Sequence, residues 1–297
     1  MPDWLIHLGI GFIVASLLRT RRKNLFLLGS ILPDISRINF LTSDFIGMSA
    51  PAIFTFTEPF HTPFMMLLVA LLISQFFGDW KKAFPVVFGA TLLHLSLDTL
   101  INAKVADGVM LLYPFSMWNP VTSFLWMENP LAHAIRAISA VALLYALYRG
   151  TGWEKIRLPE KPHLLLIIVP IILIPLLTST WYMNNGETYM DFFVNTEEWE
   201  GRTVGIVIAE VISDEPRIVE MGKEFVLVTG ESLEKGDWVS VRGTYSGGKI
   251  HTSFVHLHDL RIKVWGSLAA LLIFMLIWFR EPLIHKVLKA GPDKGAG

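Results

Sequence analysis

Cysteine is absent from this 297-residue chain. Its absence excludes disulfides, thiolate metal sites and cysteine nucleophiles, and leaves histidine and the carboxylates as the metal ligands to look for. Charge is scarce as well: 17% of residues are charged, against about 25% in ordinary soluble domains. The formal net charge is −1, so the chain as a whole offers no basic surface for a nucleic acid. Low-complexity stretches and internal repeats are missing too. No secretory leader is expected at the start, because such leaders place positive charge before their apolar run. Here the apolar run Trp4–Leu18 comes first, and Arg19, Arg21, Arg22 and Lys23 follow it.

What remains is apolar. Hydrophobic residues make up 53% of the chain and the mean hydropathy is +0.50, which predicts an integral membrane protein. Seven segments are candidates: Trp4–Leu18, Leu25–Ile35, His61–Phe77, Ala83–Ile101, Leu131–Tyr148, His163–Trp181 and Val264–Phe279. The first two are short. At about 1.5 Å per residue neither reaches the ~30 Å of a hydrocarbon core, so they are expected as tilted half-spans. Basic residues follow segment one (Arg19 to Lys23), segment three (Lys81, Lys82), segment five (Arg149, Lys155, Arg157) and the last segment (Arg280, Lys286, Lys289). This alternation predicts a cell-membrane protein with its N-terminus outside and its C-terminus inside. Trp80, Trp153 and Trp278 then fall at the inner interface, and Trp4, Trp126, Trp181 and Trp265 at the outer one, as an aromatic belt would.

Between segments six and seven the pattern changes. Thr203–Ile212, Arg217–Glu220, Glu224–Thr229, Asp237–Tyr245 and Lys249–Leu257 read as short strands bounded by Gly, Asp and Ser turns. Lys235-Gly236-Asp237-Trp238-Val239-Ser240-Val241-Arg242-Gly243-Thr244-Tyr245 resembles the middle of an oligonucleotide/oligosaccharide-binding (OB) fold. The expected architecture is therefore a polytopic α-helical membrane protein carrying a small all-β, OB-like barrel. Its units are a helical domain over 1–150, a linker and sixth membrane helix over 151–194, an extracytoplasmic barrel over 195–262, and the last helix with a cytoplasmic tail over 263–297. The barrel region carries twelve acidic and seven basic side chains. Nucleic-acid binding needs a basic groove, so a structural role or a protein partner is the stronger expectation. His251, His256 and His258 read as surface residues, although His256 and His258 share a strand face.

Some polar residues do not belong in lipid. His94 and Asp98 lie four apart on one helix face, a metal-ligand spacing inside an apolar run. His7 sits on the outer part of segment one, Asp34 ends segment two, and His61 begins segment three. Asp34 and His94 each fall about 16–18 Å from the inner boundary at 1.5 Å per residue. Several segments thus bring ionisable groups to a similar depth on one side. Three imidazoles and two carboxylates suit Zn²⁺, with Mn²⁺ or Fe²⁺ as alternatives, in one or two sites, and the carboxylates offset the ion's charge. Each residue also has a plainer reading. His7 can snorkel, Asp34 after Pro33 can cap a turn, His61 can cap segment three, and Glu58 can be solvated.

His7, the run Leu28-Gly29-Ser30-Ile31-Leu32-Pro33-Asp34, Phe60-His61-Thr62-Pro63, His94-Leu95-Ser96-Leu97-Asp98 and Tyr113-Pro114-Phe115-Ser116 occur in that order. Together they resemble the YdjM-like family of predicted membrane-bound metal-dependent hydrolases over roughly residues 1–150. The resemblance implies hydrolysis at a metal site. The ligand order is also similar to that of zinc-dependent phospholipase C, which would make Asp98 a bridge between two ions. A third ion is not expected, because only His133 follows, with Arg136 rather than a further ligand pair. The leading expectation is a metal-dependent hydrolase of an ester, foremost a phosphoester, of a membrane lipid or lipid-linked molecule. Arg136 would hold a phosphate oxygen and Glu58 would act as general base. The outer loops Ser36–Phe60 and Ala103–Pro130, rich in aromatics and prolines, would form the mouth of the pocket. The alternatives are an intramembrane ion or proton transporter, or a non-enzymatic scaffold whose barrel docks a partner.

Overall fold

Apolar sequence becomes helix wherever the runs are long enough to satisfy their own backbone. The computed structural model describes residues 4–35, 50–100, 109–118, 125, 128–152, 154–159, 164–184 and 189–289, the backbone alone at 50–52 and beyond 280. Its helices are α1 (Trp4–Leu17), α2 (Lys23–Ile35), α3 (Ala50–Thr57), α4 (Pro63–Ser74), α5 (Trp80–Leu100), α6 (Pro130–Arg149), α7 (Leu164–Met183), α8 (Tyr189–Val194) and α9 (Leu260–Lys289). A 3-10 turn, Glu58–His61, joins α3 to α4. Pro63 opens α4 at a position whose N–H needs no intrahelical partner, and the Thr62 hydroxyl caps it by accepting from the Met65 N–H.

Helices occupy all seven expected places, but among the described residues not all seven are full spans. Four are long and apolar enough to cross a membrane: Trp80–Leu100, Pro130–Arg149, Leu164–Met183 and Leu260–Arg280. A fifth is reached if Ile53–His61 and Pro63–Ser74, bent by 80°, count as one broken span. The reason is length. The 14 residues of α1 and 13 of α2 extend only about 20 Å at 1.5 Å per residue. These two short helices pack against each other and against the longer ones, α2 on α5 and α1 on α6 and α9.

The soluble part is a closed five-stranded barrel of order β1-β2-β3-β5-β4: β1 (Thr203–Ser213), β2 (Arg217–Glu220), β3 (Lys223–Val228), β4 (Trp238–Ser246) and β5 (Lys249–Leu257). Each strand lies within one residue of its expected range at either end. Neighbours are antiparallel except β3 and β5, whose parallel pairing completes the barrel. Alternate residues such as Val204, Ile206, Val239 and Val241 fill the interior. The helix α8 supplies Phe192 and Phe193 to the same core, with Phe192 stacked on Phe225 at 5.1 Å.

That core does not stop at the barrel. It runs on to Met65 at the start of α4, to Tyr113, and to Tyr182 at the end of α7. The Tyr113 hydroxyl also pairs with the Thr178 hydroxyl on α7. The barrel therefore rests on the end of the helical part where α4 begins and α7 finishes. Basic side chains tie down connections elsewhere: Arg22 donates to the Asp79 carbonyl at 3.2 Å and pairs with Glu154 at 3.3 Å, and Arg280 donates to the Leu147 carbonyl at 2.6 Å. Trp126, Trp153 and the tail 290–297 lie outside the described residues, as do residues 36–49, 101–108 and 119–124 of the expected mouth loops.

Candidate metal centre

Close helix contacts come first, because they decide which side chains meet. A Cβ on Gly29 would lie 2.5 Å from the Val87 carbonyl oxygen and 2.7 Å from the Ala90 Cβ. Only glycine lets α2 sit this close to α5. The approach brings the Ser30 carbonyl within 2.7 Å of His94 Nδ1. A carbonyl can only accept, so Nδ1 carries the proton and Nε2 keeps its lone pair. That lone pair faces inward, to Asp98 Oδ2 at 3.2 Å and Asp34 Oδ1 at 3.9 Å.

The remaining groups converge on the same point from other elements. His61, at the end of the 3-10 turn, places Nε2 3.2 Å from Asp34 Oδ1 and 3.7 Å from Asp98 Oδ2. His7 on α1 places Nε2 3.2 Å from Asp98 Oδ1 and stacks its ring on that of His94, centroids 3.7 Å apart. All five residues are buried, His7 and His94 completely. One ligand atom each from Asp34, His61, His94 and Asp98 lies within 4.8 Å of the others. His7 stands beside this set of four and meets it through the second oxygen of Asp98. The sequence places these five side chains on three separate helices and a turn, and the fold brings them together.

Two further details describe the chemistry. Although Asp98 approaches three imidazoles, both its oxygens, His94 Nε2 and both nitrogens of His7 lack hydrogen-bonding geometry to any neighbour among the described residues. Each buried polar atom left so costs about 1–3 kcal/mol, and buried carboxylates without a counter-charge cost more. Atoms aimed at a shared centre rather than at one another form the arrangement a divalent cation relieves. Asp34, in contrast, is held from behind: its Oδ2 accepts the Trp4 indole N–H at 2.9 Å, while Oδ1 stays turned to the imidazoles. The Trp4 backbone N–H donates to Ser267 Oγ at 3.2 Å, fixing α1 to α9. These buried His and Asp groups could hold a metal ion, and they fit one by donor type, burial and unmet polarity.

Trp4 and the Ser30 carbonyl are supporting groups that sequence reasoning missed. Trp4 was expected as an interface aromatic, and its position at a segment end gave no other signal. Glu58 stands three residues before His61 on the same turn, half-buried, and does not belong to the four-ligand set. Arg136 is buried on α6 and hydrogen-bonds His133 Nδ1 through Nη1 at 3.2 Å. It lines a cleft of about 140 Å³ with His133, Glu128, Asp259 and Lys263.

A second group also has metal-ligand chemistry: Glu128, His256 and His258, with one ligand atom from each within 4.8 Å. The strand face expected to hold both rings holds only His256, because β5 ends at Leu257, but His258 just beyond it also reaches Glu128. Burial alone would raise the Glu128 carboxyl, but hydrogen bonds from His258 and His256 outweigh it and hold the carboxyl down to about 2.

Taken together, the fold and site define a helical membrane protein with a buried His/Asp cluster and a small barrel. The chain belongs to the YdjM inner membrane protein family, whose model matches residues 1–186 and so ends before the barrel. No curated protein and no solved structure matches the chain.

Proposed function

We propose that this protein is a membrane-bound metal-dependent hydrolase acting on an ester, foremost a phosphoester, of a lipid or lipid-linked substrate. One observation carries the reading. Asp34, His61, His94 and Asp98 bring ligand atoms within 4.8 Å of one another, all four residues buried, and His94 Nε2 and both Asp98 oxygens have no hydrogen-bond partner among the described residues. When bound, a divalent ion such as Zn²⁺, Mn²⁺ or Fe²⁺ supplies Lewis acidity, polarising a phosphoryl or acyl oxygen and lowering the pKa of water. The chain's own groups do the rest. Asp34 and Asp98 supply negative charge that offsets the cation, His61 and His94 present imidazole nitrogens, and His7 engages the outer oxygen of Asp98. Asp98 turns one oxygen toward His7 and the other toward His94 and His61, so it would hold a metal ion together with these imidazoles and could serve a second ion if two were bound. Glu58, one 3-10 turn ahead of His61, takes the proton of the attacking water. Arg136 holds an anionic substrate oxygen through its guanidinium. A site inside apolar helices favours an amphiphilic substrate over a soluble one.

The orientation belongs to the same proposal: N-terminus outside, C-terminus inside, barrel and cluster toward the outer face. The charge distribution supports it, with Arg19–Lys23, Lys81–Lys82 and Arg149 following alternate segments. We read the barrel as OB-like from its strand order and its parallel β3–β5 pair, serving as a docking module for a protein partner and not for nucleic acid.

The test is metal content and hydrolysis measured together. Wild-type protein should carry metal and cleave a generic phosphodiester or phospholipid in a chelator-sensitive manner. The double variant His94→Ala, Asp98→Ala should lose the metal of the buried cluster and all cleavage. Metal retained at the buried site with no cleavage of any ester favours the ion-transport reading, and unchanged metal content in the variant removes the hydrolase reading.

A further inference from the structure

Glu128, His256 and His258 stand apart from the buried cluster, and nothing in the proposed hydrolysis uses them. Their placement comes from two unrelated parts of the chain. Asn129 caps α6, its side chain accepting the Leu131 N–H at 2.9 Å, and this fixes Glu128 one residue before the cap. His256 lies on β5 and His258 one residue past its end, and both rings turn to Glu128. Glu128 Oε2 then lies 3.0 Å from His256 Nε2, and Oε1 lies 2.9 Å from His258 Nδ1. The two rings meet edge to face at 4.8 Å.

The far side of His258 is also built. Its Nε2 lies 2.7 Å from Ser240 Oγ on β4, and that oxygen accepts the Ile208 N–H at 3.0 Å. Ile208 occupies the left-handed region at φ 57°, in a β1 bulge between Ile206 and Ala209. A β-branched residue is strained there. The strain positions a hydroxyl that orients one imidazole, an outer contact of the kind that fixes tautomer and ring direction in metal-ligating histidines.

We propose that Glu128, His256 and His258 form a second divalent transition-metal site, which fastens the barrel to the membrane helices. Two imidazoles and one carboxylate are a complete three-residue zinc set with a fourth position left for water or another ligand. Glu128 also lines the cleft beside His133 and Lys263, which gives the ion a route from the surface. Because one ligand comes from the membrane part and two from the barrel, metal binding and barrel docking are linked: an ion that requires all three groups stabilises the docked arrangement. The site shares no residue with the buried cluster, so it stands or falls by itself.

Cobalt(II) serves as the probe, in full-length protein in detergent micelles after metal removal. The variant His94→Ala, Asp98→Ala isolates the second site and should still bind about one Co²⁺ per chain, with visible d–d absorption. Introducing Glu128→Gln or His256→Ala into that background should lower Co²⁺ affinity at least tenfold and abolish the absorption. In otherwise wild-type protein, His256→Ala with His258→Ala should lose about one equivalent and keep the ion of the buried cluster. Gel-filtration elution and circular dichroism report whether each variant is folded. The proposal is overturned if folded His94→Ala, Asp98→Ala protein binds no Co²⁺, or if Glu128→Gln and His256→Ala bind as much as their parent. In either case the triad is a hydrogen-bonded contact only, and the buried centre is unaffected.

Discussion

At the level of single residues, the two sides of Asp34 show how the pocket is held. One oxygen turns toward His61 and His94 while the Trp4 indole anchors the other. Trp4→Phe keeps the ring and deletes that hydrogen bond. Loss of such a supporting contact commonly weakens metal binding by 10–100-fold. We therefore expect about tenfold weaker zinc binding with little change in fold, read by competition with a chromogenic chelator. Equal affinity in the two proteins would show that the indole does not orient the ligand. In the barrel, Glu220 is an opposite case. Burial pushes its carboxyl up to about 7, against a hydrogen bond from the Tyr189 hydroxyl that pulls it down. Its folded state therefore binds a proton that the unfolded state gives up, so the barrel loses stability as pH rises from about 4.5 to 7 and stays weakened above that. Glu220→Gln should be near neutral at pH 4 and stabilising by about 1–3 kcal/mol at pH 8. Thermal melts at the two pH values check this, and equal shifts at both would contradict it.

Helices meet through their small residues. Gly29→Ala would drive a methyl into the Val87 carbonyl and Ala90, separate α2 from α5, and draw the Ser30 carbonyl off His94. A cost of about 1–3 kcal/mol together with weakened metal binding is expected. Gly89→Ala on α5 is the control, because its Cβ would meet open space and a mid-helix alanine adds about 0.5–1 kcal/mol. Melting temperature and zinc affinity should fall for the first and not for the second. Elements of this kind were largely legible beforehand. Seven apolar runs and five strands follow from hydropathy, alternation and turn residues, which are local properties. The shortness of α1 and α2 was visible in residue counts, and it is why four or five helices, not seven, are long enough to span. The cluster was legible because ionisable groups in lipid-like sequence are conspicuous and stood at matching depths. The second triad was not, because Glu128 lies more than a hundred residues from His256 and only tertiary docking joins them. Nor could any local pattern show that Trp4 reaches Asp34 or that Glu58 falls outside the ligand set.

For the molecule as a whole, the arrangement implies one face for chemistry. The barrel packs through Met65, Tyr113 and Tyr182 on the end of the helices where the turn ending at His61 leads into α4. Because the chain has no cysteine, single introduced cysteines report sidedness cleanly. In intact cells Lys249→Cys on the barrel should react with a membrane-impermeant maleimide, and Lys82→Cys only after lysis. The reverse pattern would invert the proposed orientation. The central claim remains that distant helices deliver imidazole and carboxylate groups to one ion. Zinc K-edge X-ray absorption of protein carrying His256→Ala and His258→Ala, which leaves only the buried centre, tests it most directly. The account predicts bound zinc with two or three imidazole nitrogens and carboxylate oxygens at about 2.0–2.2 Å, lost on His94→Ala with Asp98→Ala. Protein that binds no zinc, or zinc whose surroundings do not change when His94 and Asp98 are removed, would contradict it.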